Sequence, residues 1–130
     1  MKQTVGKEVA ETSSAYGSAR DVAKLLAMTH EQYAGLIGYT SLYNYTFTSK
    51  LNGKVVSRSA TSTNPLLASN PDVLGGKTGY TEASGGNLAV LVKTPQGKYV
   101  AIVVLGSTVD GRFIDVAALA SSTKDFFTTK

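Results

Sequence analysis

Lys77, Thr78 and Gly79 lie in the stretch GGKTGYTEASGG, Gly75 to Gly86, where a cation, a hydroxyl and a missing side chain follow one another between further glycines. An ammonium is a point charge with three donors, a threonine hydroxyl adds a donor beside it, and glycine lets another chain come close to the backbone. That combination suits a segment that must approach an anionic substrate. The same letters would also serve as a glycine-rich hairpin with an ordinary surface lysine.

Composition limits how the rest of the chain can place these residues. The 130 residues, 42% of them hydrophobic, suffice for one domain with a modest core. There is no cysteine, which removes thiol catalysis, disulfides and cysteine metal sites. One histidine and nine acidic residues make no histidine-rich metal cluster, so neither metal nor cofactor is expected. The net charge is +4, but the 13 basic residues are spread along the chain. Nucleic-acid binding needs a basic stripe interleaved with aromatics, so no nucleic acid is expected. The longest apolar run, Tyr99 to Leu105, is strand-sized rather than membrane-spanning. The opening MKQTVGKEVAETSS has no apolar stretch behind its basic start, and no secretory signal is expected in this chain.

Ser18 and Asp21 form a capping box before Val22, Leu25 and Leu26, which predicts a helix near 19–28. Thr29 and Gln32 repeat the signal before HEQYAGLIG, predicting a second, shorter helix ended by Gly38. YNYTFTS and VVSRS flank Asn52-Gly53, a strong hairpin signal. Thr61 to Asp72 reads as a long loop with two prolines. VLGGKTGY, NLAVLVKT and YVAIVVLGS read as three strands, the last two joined by PQGK. Phe113, Val116, Ala117 and Ala120 then fall at helical spacing, with Asp110 placed as N-cap. The order predicts one α+β domain, an antiparallel sheet with packed helices. Tyr43, Tyr45 and Phe47 alternate at strand spacing and are expected to pack on the sheet rather than to stack on sugars; His30 is expected to be a solvated surface group.

GGKTGYTEASGGNLAV, followed by YVAIVVLGSTVDGRFIDVAAL and preceded by SSAYGSARDVAKLL and TNPLL, resembles the C-terminal part of the D-alanyl-D-alanine carboxypeptidases. These are low-molecular-mass penicillin-binding proteins, serine peptidases acting on peptidoglycan stem peptides. The resemblance spans roughly residues 12–128 and rests on several segments in one order. It implies a partial penicillin-binding-protein or β-lactamase-like transpeptidase fold, a location in the cell envelope, periplasmic or extracellular, and a D-Ala-D-Ala-ended peptide as partner.

Residue by residue, the resemblance implies that Lys77 meets the substrate's terminal carboxylate and that Thr78 donates beside it. Gly79 leaves room for the substrate along the strand, and the backbone amide of Tyr80 belongs to the oxyanion hole. Arg112 corresponds to an arginine that faces the same cleft and forks onto the carboxylate. Its bland reading is a solvated arginine in a helix's first turn, where the dipole disfavours it.

The family also needs a Ser-x-x-Lys nucleophile at a helix start and a Ser-x-Asn element, both well ahead of Lys-Thr-Gly. Ser121 to Lys124 matches the first pattern but follows Lys77, and Ser62 to Asn64 matches the second but falls on the loop. Both are read as coincidences, leaving no nucleophile and no nucleophile helix in this chain. The expectation is therefore a piece of a carboxypeptidase domain, or else a non-catalytic module binding peptidoglycan or a protein. A β-lactamase-type hydrolase shares Lys-Thr-Gly but fits the flanks less well. An uncovered sheet edge would also let the chain self-associate.

Overall fold

The computed structural model describes Tyr16 to Thr129. The opening segment Met1 to Ser14, with the expectation about a secretory signal, lies outside these residues. Helix α1 (Ala19–Gln32) starts on the capping box its sequence announces. Ser18 Oγ accepts from the Asp21 amide at 3.2 Å, while Asp21 Oδ2 accepts from the Ser18 amide at 2.9 Å and from its hydroxyl at 2.7 Å. These bonds hold the Asp21 carboxyl below its usual value near 3.8, the Ser18 hydroxyl contributing most and the Ser18 amide next.

The helix does not stop near residue 28. Thr29 Oγ1 donates back to the Leu25 carbonyl at 2.8 Å and so joins α1 instead of capping a new helix. The break falls at Tyr33, outside helical geometry at φ −140° and ψ 52°, and α2 (Ala34–Tyr39) follows with Gly38 inside it. Thr40 and Ser41 close that end by donating to the Ile37 and Gly38 carbonyls.

Strands β1 (Asn44–Leu51) and β2 (Lys54–Thr61) form a separate antiparallel hairpin. Asn52 and Gly53 both take left-handed φ, 49° and 79°, as the two-residue turn requires. Tyr45 and Phe47 stack on each other at 6.0 Å between centroids, but both are exposed. The expected packing on a sheet core is absent because this hairpin carries no described layer over its aromatic face. The long loop after it contains one helical turn, α3 (Leu66–Ser69), whose Leu66 enters the core.

Strands β3 (Val73–Thr81), β4 (Gly85–Lys93) and β5 (Tyr99–Ser107) form an antiparallel sheet in that order. Helix α4 (Gly111–Thr128) sets Val116 and Ala120 against Leu88, Val90, Val92 and Ile102, with Leu66 and Val73 completing the core. Alternation along β4 turns Ala89 and Leu91 to the other face. Helix α1 covers that face: it packs on β5 and β4, and His30 near its end meets the Tyr99 ring at 4.4 Å. His30 is thus an inter-element contact rather than a solvated group. At the start of α4, Asp110 sits at the N-cap without a side-chain cap bond; Thr108 Oγ1 accepts from the Gly111 amide at 2.9 Å instead. A central sheet strand with helices on both faces is the expected α+β arrangement.

Candidate active site

Strand β3 is one edge of the sheet, and two of its glycines let its neighbours close on it. A Cβ on Gly76 would stand 2.1 Å from the Ala89 carbonyl oxygen, and one on Gly75 2.6 Å from Thr40 Oγ1 and 2.9 Å from the Ile37 carbonyl oxygen. The end of α2 therefore reaches β3 directly, and Thr40 Oγ1 accepts from the Gly76 amide at 3.1 Å. Gly79 differs. A Cβ there would meet only Asn87 Cβ, at an ordinary 3.8 Å. The fold needs Gly75 and Gly76 to be small; nothing in the packing asks this of Gly79.

Lys77, Thr78, Gly79 and Tyr80 line one cavity of about 510 Å³ together with Arg112. Arg112 reaches it because α4 begins tight against the end of β5: a Cβ on Gly111 would lie 2.5 Å from Thr108 Oγ1 and 2.7 Å from Ser107 Oγ. The guanidinium is buried, donates from Nη1 to the Gly79 carbonyl at 2.7 Å, and lies 4.6 Å over the Phe113 ring. Its Nε has no protein acceptor. No aspartate or glutamate lines the cavity, so two cationic residues and several hydroxyl-bearing ones border one space without a described carboxylate. Such a site favours an anion, and the buried guanidinium carries a desolvation penalty that an anionic ligand would offset.

Lys77 is exposed, and its ammonium folds back onto the carbonyl of Thr78. A second cavity, of about 650 Å³, shares Thr63, Lys77 and Thr78 with the first and is bounded by α2, the hairpin and the loop after it. Ser62, Thr63 and Asn64 line it, and Thr63 Oγ1 lies 2.6 Å from Thr78 Oγ1. The Ser-x-Asn letters are therefore beside the Lys-Thr-Gly strand, although in sequence they read as coincidence. Ser121 and Lys124 are elsewhere. They border a different cleft, where Lys124 pairs with Asp72 at 3.0 Å, and roughly 14 Å of helix separates Ser121 from Arg112.

Sequence reasoning also missed Asn87. Its Nδ2 donates to the Gly85 carbonyl at 2.9 Å and to Ser84 Oγ at 3.2 Å, and its Oδ1 accepts from the Gly106 amide at 3.0 Å. It is buried beside the cavity, where β3 ends and β4 begins, and holds the turn that joins those strands. The available signal was an asparagine following Gly85-Gly86 at the start of an apolar strand, where an amide is out of place unless fully bonded.

The antiparallel sheet with α4 on one face and α1 on the other defines a penicillin-binding-protein-type transpeptidase fold. A serine-to-alanine mutant of the Streptomyces K15 DD-transpeptidase superposes with a TM-score of 0.75 at 23% identity, over 88% of this chain and 44% of that one. Penicillin binding protein 5 from Haemophilus influenzae gives 0.65 at 28% identity, over 82% and 29%. Residues 2–109 match the D-alanyl-D-alanine carboxypeptidase peptidase family, and the chain belongs to that family. No curated protein sequence matches it. The chain spans less than half the length of the solved structures it resembles. No described helix opens on Ser-x-x-Lys, and none is long and apolar enough to cross a membrane.

Proposed function

We propose that this chain supplies the carboxylate-binding wall of a serine-type D-alanyl-D-alanine carboxypeptidase acting on peptidoglycan stem peptides in the cell envelope. One observation carries the reading: the buried Arg112 guanidinium shares a cavity with Lys77 and Thr78 and has no described carboxylate partner. A terminal D-alanine carboxylate has the charge and the acceptor-only oxygens that these donors lack. Gly79 leaves the strand open for the peptide to lie along β3. The backbone amide of Tyr80 then polarises the scissile carbonyl, while a serine from outside the residues of this wall attacks it.

A second reading is favoured by the position of Ser121 and Lys124, far from the cavity. With no other Ser-x-x-Lys in the sequence, the chain by itself is a binding module: it holds D-Ala-D-Ala ends without hydrolysing them. Both readings require the same recognition step, and one experiment tests it. A D-Ala-D-Ala-ended peptide and its C-terminal amide are titrated into the chain by calorimetry. The free acid binds and the amide does not; equal binding of the two would overturn the proposal.

A further inference from the structure

We infer that Thr63 is a positioning residue for Thr78, fixing the direction in which the Thr78 hydroxyl proton points. The inference rests on the carboxylate-binding reading above but uses a contact that reading does not. The two hydroxyl oxygens are 2.6 Å apart, within hydrogen-bond distance, so one proton lies between them. A carboxylate offers only lone pairs, so a Thr78 that serves one must spend its own proton on the ligand. The proton between the threonines then belongs to Thr63. Thr63 donates to Thr78, and Thr78 donates to the carboxylate. Without Thr63, the Thr78 hydroxyl is free to rotate and loses part of its preorganisation toward the ligand.

The loop is built to keep Thr63 there. Asn64 Oδ1 accepts from the Leu66 amide at 3.2 Å, an Asx-type turn, and the Asn64 amide donates to Ser62 Oγ at 3.2 Å. Asn64 is 3% exposed and Leu66 sits in the core, so the residue following Thr63 is anchored although Thr63 itself is exposed. The hairpin side is tied as well, the Ser62 amide donating to the Tyr43 carbonyl at 2.7 Å. Ser62, Thr63 and Asn64 thus act as a strut: two residues held by the fold and one hydroxyl directed at the Lys-Thr-Gly strand.

The test is a double-mutant cycle with Thr63→Val, Thr63→Ser, Thr78→Val and the Thr63/Thr78 double valine variant. Affinity for a D-Ala-D-Ala-ended peptide is read by calorimetry, and the Thr78 side-chain signals are read by NMR without ligand. Thr63→Val weakens the peptide by about two- to tenfold, Thr63→Ser restores it, and Thr63→Val has no further effect once Thr78 is valine. Additive losses at the two positions would overturn the inference. So would Thr78 signals that do not move in Thr63→Val. If the unaltered chain fails to bind the peptide, the carboxylate reading falls, and the Thr78 signals alone decide whether Thr63 holds its hydroxyl.

Discussion

Arg112 Nη1 donates to the Gly79 carbonyl at 2.7 Å, so the buried cation of α4 is tied to the strand it shares a cavity with. One carbonyl is a small return for a buried guanidinium, because the charge is desolvated without a counter-charge. We expect Arg112→Met to keep the packing stem and relieve that penalty. Thermal stability should be unchanged or higher, while discrimination between the D-Ala-D-Ala acid and its amide is lost. A large fall in melting temperature with intact discrimination would show that Arg112 is structural.

The glycines of β3 separate fold from function. Gly76→Ala places a methyl 2.1 Å from the Ala89 carbonyl oxygen, a backbone atom that cannot move aside, and should cost on the order of 3 kcal/mol or more. Gly79→Ala meets only an ordinary contact and should cost less than about 1 kcal/mol. Denaturant melts check this order. Peptide titration of the folded Gly79→Ala variant should show weakened binding, and unchanged binding would remove the ligand from the explanation of that glycine.

Much of this arrangement is legible in the sequence wherever the deciding interactions are local. Asn52-Gly53 fixes its turn through two left-handed residues, and Ser18 with Asp21 fixes the start of α1. The boundary between α1 and α2 is not legible, because Thr29 has two uses for one hydroxyl and the backbone of the growing helix is the nearer acceptor. Asp110 has a cap's residue type, but Thr108 makes the bond because the chain turns tightly after Gly106. Lys77 to Tyr80 and Arg112 line one cavity, a nearness that 33 residues of sequence between Gly79 and Arg112 do not display. The contribution of Thr63 was invisible: a threonine pair 15 residues apart shows no pattern until β2 and β3 are placed.

Acylation by a penicillin requires an activated serine. Ser121 lies on the far part of α4 with Lys124 engaged by Asp72, and Ser62 Oγ accepts from the Asn64 amide. The chain should form no stable adduct with a fluorescent penicillin. Intact-mass spectrometry with peptide mapping checks it; a label on Ser121 or Ser62 would mean that a nucleophile operates within these residues.

The start of α1 should respond to acid. The Asp21 carboxyl lies below its usual 3.8 because its ionised form accepts from the Ser18 hydroxyl and amide. A depressed folded value means the capping contribution is present above the unfolded value and is lost as pH falls through the lower folded one. Amide signals of Ser18 and Asp21 should therefore hold steady at neutral pH and change only below about pH 4. In Asp21→Asn the transition should vanish; if it persists, another carboxylate governs this turn.

The outer edge of β5 has no partner strand among the described residues, and Leu25 and Met28 on α1, Tyr33 at the break and Leu36 on α2 are exposed. An unpaired edge and exposed apolar side chains are each a template for another strand or copy. We propose that the isolated chain self-associates through one of these two surfaces, a second copy pairing along β5 or covering the apolar helix surface. Sedimentation velocity over a range of concentrations should show a reversible dimer. Leu25→Lys with Leu36→Lys should shift it to monomer if the helix surface is the contact, since both positions are exposed and tolerate charge. An edge-paired dimer would survive that change and instead protect the β5 amides from hydrogen exchange. A heat-stable monomer at every concentration would mean the edge is already covered, and would favour a self-contained module over an open one.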